Sequence, residues 1–444
     1  MGAAEYVSGI LNGRVMPALL IFCGIVLAVR IKLFRVVSPR GFLRDLKSSS
    51  KGGKNTPVRS LCTALAGTLG VGNIAGVATA ITAGGPGAVM WMWIGAAVSM
   101  SVKYGEVVLA VKYRRREKER YFGGSMYTMR DGLSGRVGRR PAAVLGAVFA
   151  ALCILNSLVM GNLIQSNAAS AVFGGPAVPK AVCTMMALGV LLTAFTGKDR
   201  TAAVTVALIP ALSAVYVGLS LFVIITNYSL LPQVFKMICR GAFSFHAAAG
   251  GAAGHTVREA LRFGVTRGIF SNEAGCGTSP TAHASADVRS PHKQGCFGIF
   301  EVIADTLILC SMTAFVILIA GIKYPGAAGL DGVPLTLASF GAAAGRNAYY
   351  AIGVSVILFA YATVIAQVFY GGVALGHLTR SRAAKRAYGV SAAAVTFFGW
   401  AAPPGIMWIA ADLIVGVMTV LNVSVLLVMR REIGDEAKRG LGER

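Results

Sequence analysis

The stretch RGIFSNEAGCGTSPTAHA, residues Arg267–Ala284, lies inside a long apolar region and yet is a poor helix. Gly275, Gly277 and Pro280 interrupt it, and its polar side chains fall at what should be membrane depth. In hydrocarbon, irregular backbone persists only where it lines a cavity or is buried in protein. A broken helix also leaves free N–H groups on one half and free C=O groups on the other. The stretch therefore predicts a place where an anion and a cation are held side by side.

The composition is typical of a polytopic membrane protein. The 444 residues are 55% hydrophobic and only 14% charged, whereas a soluble domain is roughly a quarter charged. The formal net charge of +24 is concentrated in a few loops, which indicates a positive-inside bias and argues against nucleic acid as a partner. The eight cysteines form no CxxC pair and are expected to be small core residues. The sequence has no HExxH, GxSxG or P-loop lysine motif, so we do not expect an enzyme.

Eleven segments are apolar enough to be membrane spans, which need about 20 residues each. They are residues 11–29, 60–83, 87–111, 141–172, 181–195, 202–225, 257–284, 298–322, 349–375, 388–402 and 406–429. Basic residues cluster in alternate connections, above all at 30–59 and 112–140. We therefore expect a multi-pass membrane protein with the N-terminus outside and the C-terminus in the cytoplasm.

The ten segments after the first form two sets of five. The first member of each set is interrupted by glycine, at Thr68–Gly76 and at Ser271–Pro280. Because each set holds an odd number of segments, the two sets must have opposite orientations. Interrupted segments in corresponding positions of inverted halves are typical of the binding site of a secondary transporter. We predict an all-α polytopic membrane protein with about 11 transmembrane helices, arranged as a 5+5 inverted repeat with a discontinuous first helix in each repeat, plus one extra N-terminal helix.

This topology divides the chain into six parts. They are an extra N-terminal transmembrane helix (1–30), a basic cytoplasmic loop (31–59), the first five-helix repeat (60–228), an extracellular loop (229–256), the second, inverted repeat (257–430) and a cytoplasmic tail (431–444). Two outer connections, 227–255 and 323–344, fit lids or re-entrant segments as well as plain linkers.

The first interrupted segment, GTLGVGNIAG, offers oxygen donors without a fixed charge, which suit a hard monovalent cation. Thr68 and Asn73 supply these oxygens, and Gly70 and Gly72 allow an unwound backbone. The same glycines also fit a small-residue packing face, and both interpretations stay open. Gln165, in GNLIQSN, either anchors a carboxylate or cross-links helices.

Charged side chains inside apolar segments are functional candidates by default, because a charge at the bilayer centre costs roughly 2.5–3.5 kcal/mol. They are Lys103, Glu106, Glu273, Asp305 and Asp412. We expect Lys103 and Glu106 to neutralise one another on a helix face. Glu273 and Asp305 are either functional or tie unwound backbone together, and Asp412 fits a place near the outer interface. His283 is either a proton relay or a hydrogen-bonded structural imidazole.

Four long motifs resemble the sodium:alanine/glycine (amino acid:cation) symporter family. They are GTLGVGNIAGVATAITAGGPGAVMWMW (Gly67–Trp93), KYGEVVLAVKYR (Lys103–Arg114), GNLIQSN (Gly161–Asn167) and GVTRGIFSNEAGCGTSPTAHASA (Gly264–Ala286). The resemblance implies the inverted-repeat fold of sodium-coupled amino-acid transporters. It also implies Na⁺-coupled uptake of a small neutral amino acid such as alanine or glycine, with no organic cofactor, by a monomer in the lipid bilayer of the bacterial inner (plasma) membrane. A different small solute or H⁺ coupling is the main alternative, followed by a channel or a non-transporting receptor.

The same resemblance implies a set of site residues. The substrate would contact Thr68, Gly70, Gly72, Asn73, Gln165, Phe270, Asn272, Gly275, Thr363 and Gln367. Na⁺ would lie between the carbonyls of Ala66 and Leu69 and the ninth span at Phe359, Ala362 and Thr363. The family usually has a hydroxyl where this chain has Ala362 and an aromatic wall where it has Gln367. These departures leave the substrate and the Na⁺ dependence open, and Gln367 would make the pocket roomier and more polar than one for alanine.

Overall fold

The computed structural model describes residues 2–37, 56–117, 120–175, 177–196, 198–243, 256–324 and 329–442. These residues are almost entirely helical, apart from one short antiparallel hairpin of β1 and β2. The first half contains α1 (Gly2–Ile10), α2 (Met16–Ile31), α3 (Leu33–Val36), α4 (Pro57–Thr68), α5 (Ala75–Gly84), α6 (Gly87–Lys112), β1 (Arg115–Glu117), β2 (Arg120–Phe122), α7 (Ser125–Tyr127), α8 (Ser134–Val137), α9 (Arg139–Leu158), α10 (Gln165–Ser170), α11 (Val178–Thr196) and α12 (Lys198–Thr226).

The second half contains α13 (Leu231–Phe243), α14 (Val257–Asn272), α15 (Pro280–His283), α16 (Pro291–Val302), α17 (Ser311–Lys323), α18 (Gly332–Ala344), α19 (Arg346–Leu378), α20 (Arg382–Phe398), α21 (Pro404–Val428) and α22 (Arg430–Leu441). Wider π-helical turns join some of these helices, at Leu11–Val15, Thr128–Gly132, Val159–Ile164 and Ile303–Cys310. Short 3₁₀ turns lie at Val71–Asn73, Tyr228–Leu230 and Gly399–Ala401. Several predicted spans are therefore continuous helices with a local change of pitch.

The helices match the expectation of a polytopic membrane protein. Among the described residues, 7 helical stretches are long and apolar enough to cross a membrane. The pair α4–α5, bent by 60° at its break, makes an eighth if it counts as one span. Helices lie at all the predicted segments, but some of these are too short or too interrupted to qualify by length and hydropathy. The all-helical class is confirmed, and the count of eleven spans stays a prediction.

Helix α6 is the centre of the packing. It is buried along most of its length, and α2, α14 and α16 all pack against it. The contact with α14 is close because Gly264 has no side chain: a Cβ there would lie 2.4 Å from the main-chain oxygen of Ala88. Small residues at helix crossings allow this approach in membranes, where packing rather than hydrophobicity drives helix association. Helix α14, the first part of the second interrupted segment, therefore packs closely against α6.

The two outer connections contain helices rather than plain linkers, as far as they are described; residues 244–255 lie outside the described part. Helix α13 packs against α6, where Trp91 Nε1 donates to the carbonyl of Ala242 at 3.3 Å. Helix α18 packs against α17, α19 and α5. Its Thr336 hydroxyl donates to the carbonyl of Ile74 at 3.3 Å, within the first helix break. This outer helix therefore stabilises the interrupted backbone directly.

The C-terminal helix α22 is anchored on the side that carries the basic loops. Glu432 Oε1 accepts hydrogen bonds from Tyr113 Oη at 2.5 Å and from Lys112 Nζ at 3.0 Å, and Oε2 accepts from Arg136 Nη2 at 3.2 Å. Partial burial alone would raise the pKa of Glu432, but the bonds from Tyr113 and Lys112 outweigh it and hold that pKa below the ordinary value. The carboxylate is thus charged at neutral pH and fixes α22 against the end of α6.

Candidate functional site

The first helix break lies between α4 and α5 and leaves no room for a side chain at its centre. Gly70 has extended backbone angles, φ −102° and ψ −151°. A Cβ on Gly70 would lie 2.6 Å from Thr363 Oγ1 and 2.8 Å from Gln165 Oε1. Gln165 Oε1 also accepts a hydrogen bond from the N–H of Val71 at 3.0 Å. The unwound backbone is therefore in direct contact with α10 and α19.

The second break lies between α14 and α15, where the sequence predicts it. Helix α14 ends at Asn272, and Glu273 takes the left-handed conformation with φ 51°. Gly275 and Gly277 follow with φ of 87° and 76°, which only glycine adopts readily. Asn272 Oδ1 accepts from the N–H of Ala274 at 3.0 Å and so caps the turn. A non-glycine residue held at positive φ is typical of functional sites, because its strain must be supported by the surroundings.

Asp305 joins the two breaks. Its Oδ1 accepts from Asn73 Nδ2 of the first break at 2.6 Å, and its Oδ2 accepts from the Ser271 hydroxyl of α14 at 2.7 Å. Thr306 donates to the same Oδ2 at 2.8 Å and accepts from Asn272 Nδ2 at 3.1 Å. Asp305 is fully buried. Of the two roles left open by the sequence, these contacts match the tie between stretches of unwound backbone.

Glu273 occupies a comparable position within the second break. Gln367 Nε2 donates to its Oε1 at 2.6 Å, and the Thr278 hydroxyl donates to its Oε2. The residue is only 2% exposed, so both carboxylate oxygens depend on these neutral partners. Glu273 therefore links the unwound segment to α19, and it does so from the wall of a cavity.

Lys103 and Glu106 still act on each other electrostatically, as expected, but the direct partners of each come from elsewhere in the chain. Lys103 Nζ donates to Ser279 Oγ at 2.6 Å and forms an ion pair with Glu301 Oε1 at 3.5 Å. Glu106 Oε1 accepts instead from Asn422 Nδ2 at 2.5 Å. Spacing along one helix placed the two charges on the same face, but the buried lysine reaches across to the second break. Lys103 thus supports the end of the unwound segment at Ser279.

His283 is a hydrogen-bonded imidazole, as one of the two sequence interpretations has it. Its Nε2 is 2.9 Å from Glu301 Oε2, and its Nδ1 is 2.8 Å from Gln294 Nε2. Because an amide N–H₂ only donates, Nδ1 of His283 accepts this hydrogen bond. The proton of the neutral ring then lies on Nε2, which donates a hydrogen bond to Glu301. Lys103, Glu301 and His283 form one buried network beneath the second break.

A cavity lies between the two breaks. Its lining consists of Gly67, Thr68, Val71, Gly72, Gly76, Met160, Ile164, Gln165, Arg267, Phe270, Glu273, Gln367 and Trp408. Predicted substrate residues in this lining are Thr68, Gly72, Gln165, Phe270 and Gln367. A second, narrower pocket is lined by Leu69, Gly70, Asn73, Ile74, Tyr216, Leu309 and Phe359. The structure therefore distributes the predicted set over two neighbouring spaces.

Three predicted substrate residues, Asn272, Gly275 and Thr363, line neither pocket, and the contacts of each residue explain why. The Asn272 side chain accepts a hydrogen bond from the N–H of Ala274 and donates one to the Thr306 hydroxyl, as described above. A Cβ on Gly275 would meet Leu20, Thr419 and Val423, so this glycine faces α2 and α21. The Thr363 hydroxyl donates to the carbonyl of Ala66 at 2.8 Å and lies behind Gly70.

The predicted Na⁺ residues carry only neutral oxygens. The carbonyl of Ala66 and the hydroxyl of Thr363 are 2.8 Å apart, close enough for both to face one ion. Leu69 and Phe359 line the narrower pocket, while Ala362 is fully buried and has no side-chain oxygen. Uncharged oxygens are the ligands that hard monovalent cations accept. Thr363 is the one residue of this predicted set with a side-chain oxygen, so the others would contribute main-chain carbonyls if they bind Na⁺.

Arg267 and Trp408 are among the cavity-wall residues that sequence reasoning did not single out. The Arg267 guanidinium carbon lies 4.5 Å from the centre of the Trp408 ring and 5.6 Å from that of Phe270. Its Nε and Nη1 are buried and have no hydrogen-bond partner among the described residues, and the same holds for Asp412 Oδ1. An arginine inside an apolar segment is a recognisable signal of function. It places a positive charge at the cavity, opposite in sign to Glu273.

Comparison of the sequence with known proteins identifies a family of transporters. A model of the sodium:alanine symporter family matches residues 2–439. The probable sodium/glutamine symporter GlnT of Bacillus subtilis is 33% identical over 440 residues, covering 97% of this chain and 89% of that protein. The sodium/alanine symporter AgcS of Methanococcus maripaludis is 33% identical over 445 residues, covering 96% and 94%.

Solved structures resemble the fold as well. A crystal structure of the Eremococcus coleocola manganese transporter, in complex with an aromatic bis-isothiourea substituted compound, superposes with a TM-score of 0.53 at 13% identity. The superposition covers 83% of this chain and 78% of that one. At this identity the likeness concerns the fold alone. The chain belongs to the sodium:alanine symporter family and is a multi-pass membrane transporter, not an enzyme.

Proposed function

We propose that the protein is a sodium-coupled symporter that takes up a small neutral amino acid by alternating access. The observation that carries the proposal is the cavity between two helix breaks that Asp305 ties together. Both relatives are named as symporters of sodium and an amino acid, which supports this substrate class. Broken helices at membrane depth are the usual way in which secondary transporters build such sites.

The two breaks offer complementary partners for a zwitterion. The free N–H groups that begin α5 favour a carboxylate, and the cavity lies against this helix end at Gly76. The free carbonyls that end α14 favour an ammonium group, and Phe270 in its last turn lines the same cavity. Gln165 Oε1 accepts a hydrogen bond from the N–H of Val71, which leaves the Nε2 of Gln165 to donate to the substrate carboxylate.

Na⁺ would be held by the Ala66 carbonyl and the Thr363 hydroxyl, between α4 and α19. When bound, the ion supplies a positive charge that holds the first break against α19, and thereby stabilises the arrangement that binds substrate. An inward-moving charge gains roughly 2.3 kcal/mol per 100 mV of membrane potential, enough to concentrate a neutral solute.

The proposed architecture is the inverted repeat of residues 60–228 and 257–430, preceded by the extra helix of residues 1–30. In this arrangement α4–α5 and α14–α15 are the discontinuous first helices of the two repeats. The broken pair would move together against the remaining helices, exposing the cavity alternately to each side. The proposed orientation has the N-terminus outside and the C-terminus in the cytoplasm of a bacterial cell.

The test is uptake of alanine and glutamine into proteoliposomes under Na⁺, Li⁺ and H⁺ gradients applied in turn. We expect saturable uptake that an inward Na⁺ gradient stimulates. Thr363→Val, which removes the hydroxyl at Ala66, should raise the Na⁺ concentration needed for half-maximal uptake by roughly tenfold, the effect of about 1.4 kcal/mol.

The matched control is Thr184→Val, because the Thr184 hydroxyl bonds to the carbonyl of Lys180 in its own helix and is not part of the proposed site. It should leave the Na⁺ dependence unchanged. Uptake driven by H⁺ alone would contradict sodium coupling. Single-channel currents, or binding without counterflow, would contradict symport altogether.

A further inference from the structure

One residue of the cavity lining, Gln367, carries an acceptor atom that has no partner among the described residues. Gln367 Oε1 is buried and makes no hydrogen bond within the described part of the chain, and the residue as a whole is only 1% exposed. The orientation of the amide is not arbitrary: Glu273 Oε1 lies 2.6 Å from Gln367 Nε2, and a carboxylate accepts only from the N–H₂ end. The oxygen end of the amide is therefore left as a buried acceptor, which is unfavourable unless a donor meets it.

The surroundings hold this amide in place. A Cβ on Gly161 would lie 2.4 Å from Gln367 Cβ and 2.7 Å from its Cγ, so the glycine makes the space that the side chain fills. Gln367 and Glu273 both belong to the cavity lining. The Gln367 side chain is thus fixed between Glu273 and the turn that contains Gly161.

Its position separates it from the groups that would bind the substrate backbone. Gln367 follows Thr363 by four residues on α19, and Gly161 precedes Gln165 by four residues on the neighbouring helix. Thr363 and Gln165 meet the first break at Gly70. Gln367 and Gly161 lie about one helical turn from Thr363 and Gln165, roughly 5.4 Å along the helix axis, and Gln367 is at the level of the second break. A short side chain covers this distance from an α-carbon held between the helix ends.

We propose that Gln367 Oε1 is the subsite for a side-chain N–H or O–H donor of the substrate. The preferred substrates are then neutral amino acids with an amide or hydroxyl side chain, such as glutamine, asparagine and serine, rather than alanine. This inference rests on the proposed function and names the side-chain chemistry within it. A site built to hydrogen-bond a donor rejects analogues that lack it.

Charge in the same cavity selects neutral donors. An acidic side chain would bring an acceptor against Gln367 Oε1 and a negative charge close to Glu273. A cationic side chain would find both oxygens of Glu273 already paired and would share the cavity with Arg267. The amide or hydroxyl fits because it offers a donor without a charge.

The first test compares isosteric pairs as competitors of Na⁺-driven alanine uptake by the wild-type protein. Serine should inhibit about tenfold better than 2-aminobutyrate, and glutamine roughly 100-fold better than glutamate, since each second member lacks the neutral donor. Equal inhibition within both pairs would overturn the subsite.

The second test uses Gln367→Met, which keeps the volume and removes the acceptor, and Gln367→Trp, which restores an aromatic wall. In both variants the serine to 2-aminobutyrate preference should fall about tenfold, toward unity. Gln233→Met, on the exposed face of α13, is the matched control and should keep the wild-type ratio. A preference retained in Gln367→Met would also overturn the subsite.

Binding measured without transport separates this inference from the proposed function. The same pairs are compared by ligand-induced thermal stabilisation of the purified wild-type protein, which requires binding only. Donor preference in binding with no Na⁺-driven uptake would reject symport and keep the subsite. Na⁺-driven uptake with no donor preference in either assay would keep symport and reject the subsite.

Discussion

Gly70→Ala is expected to abolish most of the transport activity. The new Cβ would lie 2.6 Å from Thr363 Oγ1 and 2.8 Å from Gln165 Oε1, so one methyl group displaces a proposed sodium ligand and a proposed substrate ligand together. Overpacking of this kind costs about 1–3 kcal/mol, which corresponds to roughly a 5- to 150-fold loss of Na⁺-driven uptake. The measurement is initial uptake in proteoliposomes at matched protein content.

Gly372→Ala is the control for this change. Gly372 lies on the same helix as Thr363, and a Cβ there would meet no described atom within 4 Å apart from the backbone of its own helix. Alanine is also the better helix former, so stability should be kept or slightly raised. A Gly70→Ala protein that transports at the wild-type rate would show that the first break does not form the binding site.

Asp305→Asn is expected to cause the largest loss of stability. Asp305 accepts from Asn73, Ser271 and Thr306, and an amide in its place offers an N–H₂ group to at least one of these donors. Removing a buried, charge-assisted acceptor of this kind should lower the free energy of unfolding by about 2 kcal/mol. Denaturation in detergent measures this directly. We also expect uptake to be lost, because the two breaks are no longer held together.

The same substitution at Asp331 provides the comparison. Asp331 is exposed and caps the start of α18, accepting from the N–H of Gly332 at 2.7 Å. Asparagine caps helices about as well as aspartate, so Asp331→Asn should change the free energy of unfolding by less than about 0.5 kcal/mol. Equal effects of the two substitutions would mean that Asp305 does not tie the breaks together.

The positions of the breaks could be predicted from the sequence because glycine and proline leave a local signature. Gly70 lies in one apolar segment, and Gly275, Gly277 and Pro280 lie in the other, where no continuous helix can form. The helix ends at Thr68 and Asn272 follow from these residues. Hydropathy likewise located the apolar helices, although their bends and π-helical turns depend on tertiary packing that the sequence does not display.

Side-chain partners were harder to predict, because they come from distant helices. Local spacing paired Lys103 with Glu106, whereas burial brings Lys103 to Ser279 and Glu301. The unpaired oxygen of Gln367 could not be foreseen either, since it depends on Glu273 taking the other end of the amide. Long-range contacts of this kind are set by helix crossings, which leave no periodic trace in the sequence.

Reciprocal binding of Na⁺ and substrate to the purified protein tests the central claim most directly. If the two breaks enclose a shared site, Na⁺ should raise the affinity for the amino acid, and the amino acid should raise the affinity for Na⁺ by the same factor, about 5- to 150-fold for a coupling of 1–3 kcal/mol. Gly70→Ala should remove both effects. Amino-acid binding that is independent of Na⁺ in the wild-type protein would contradict the account.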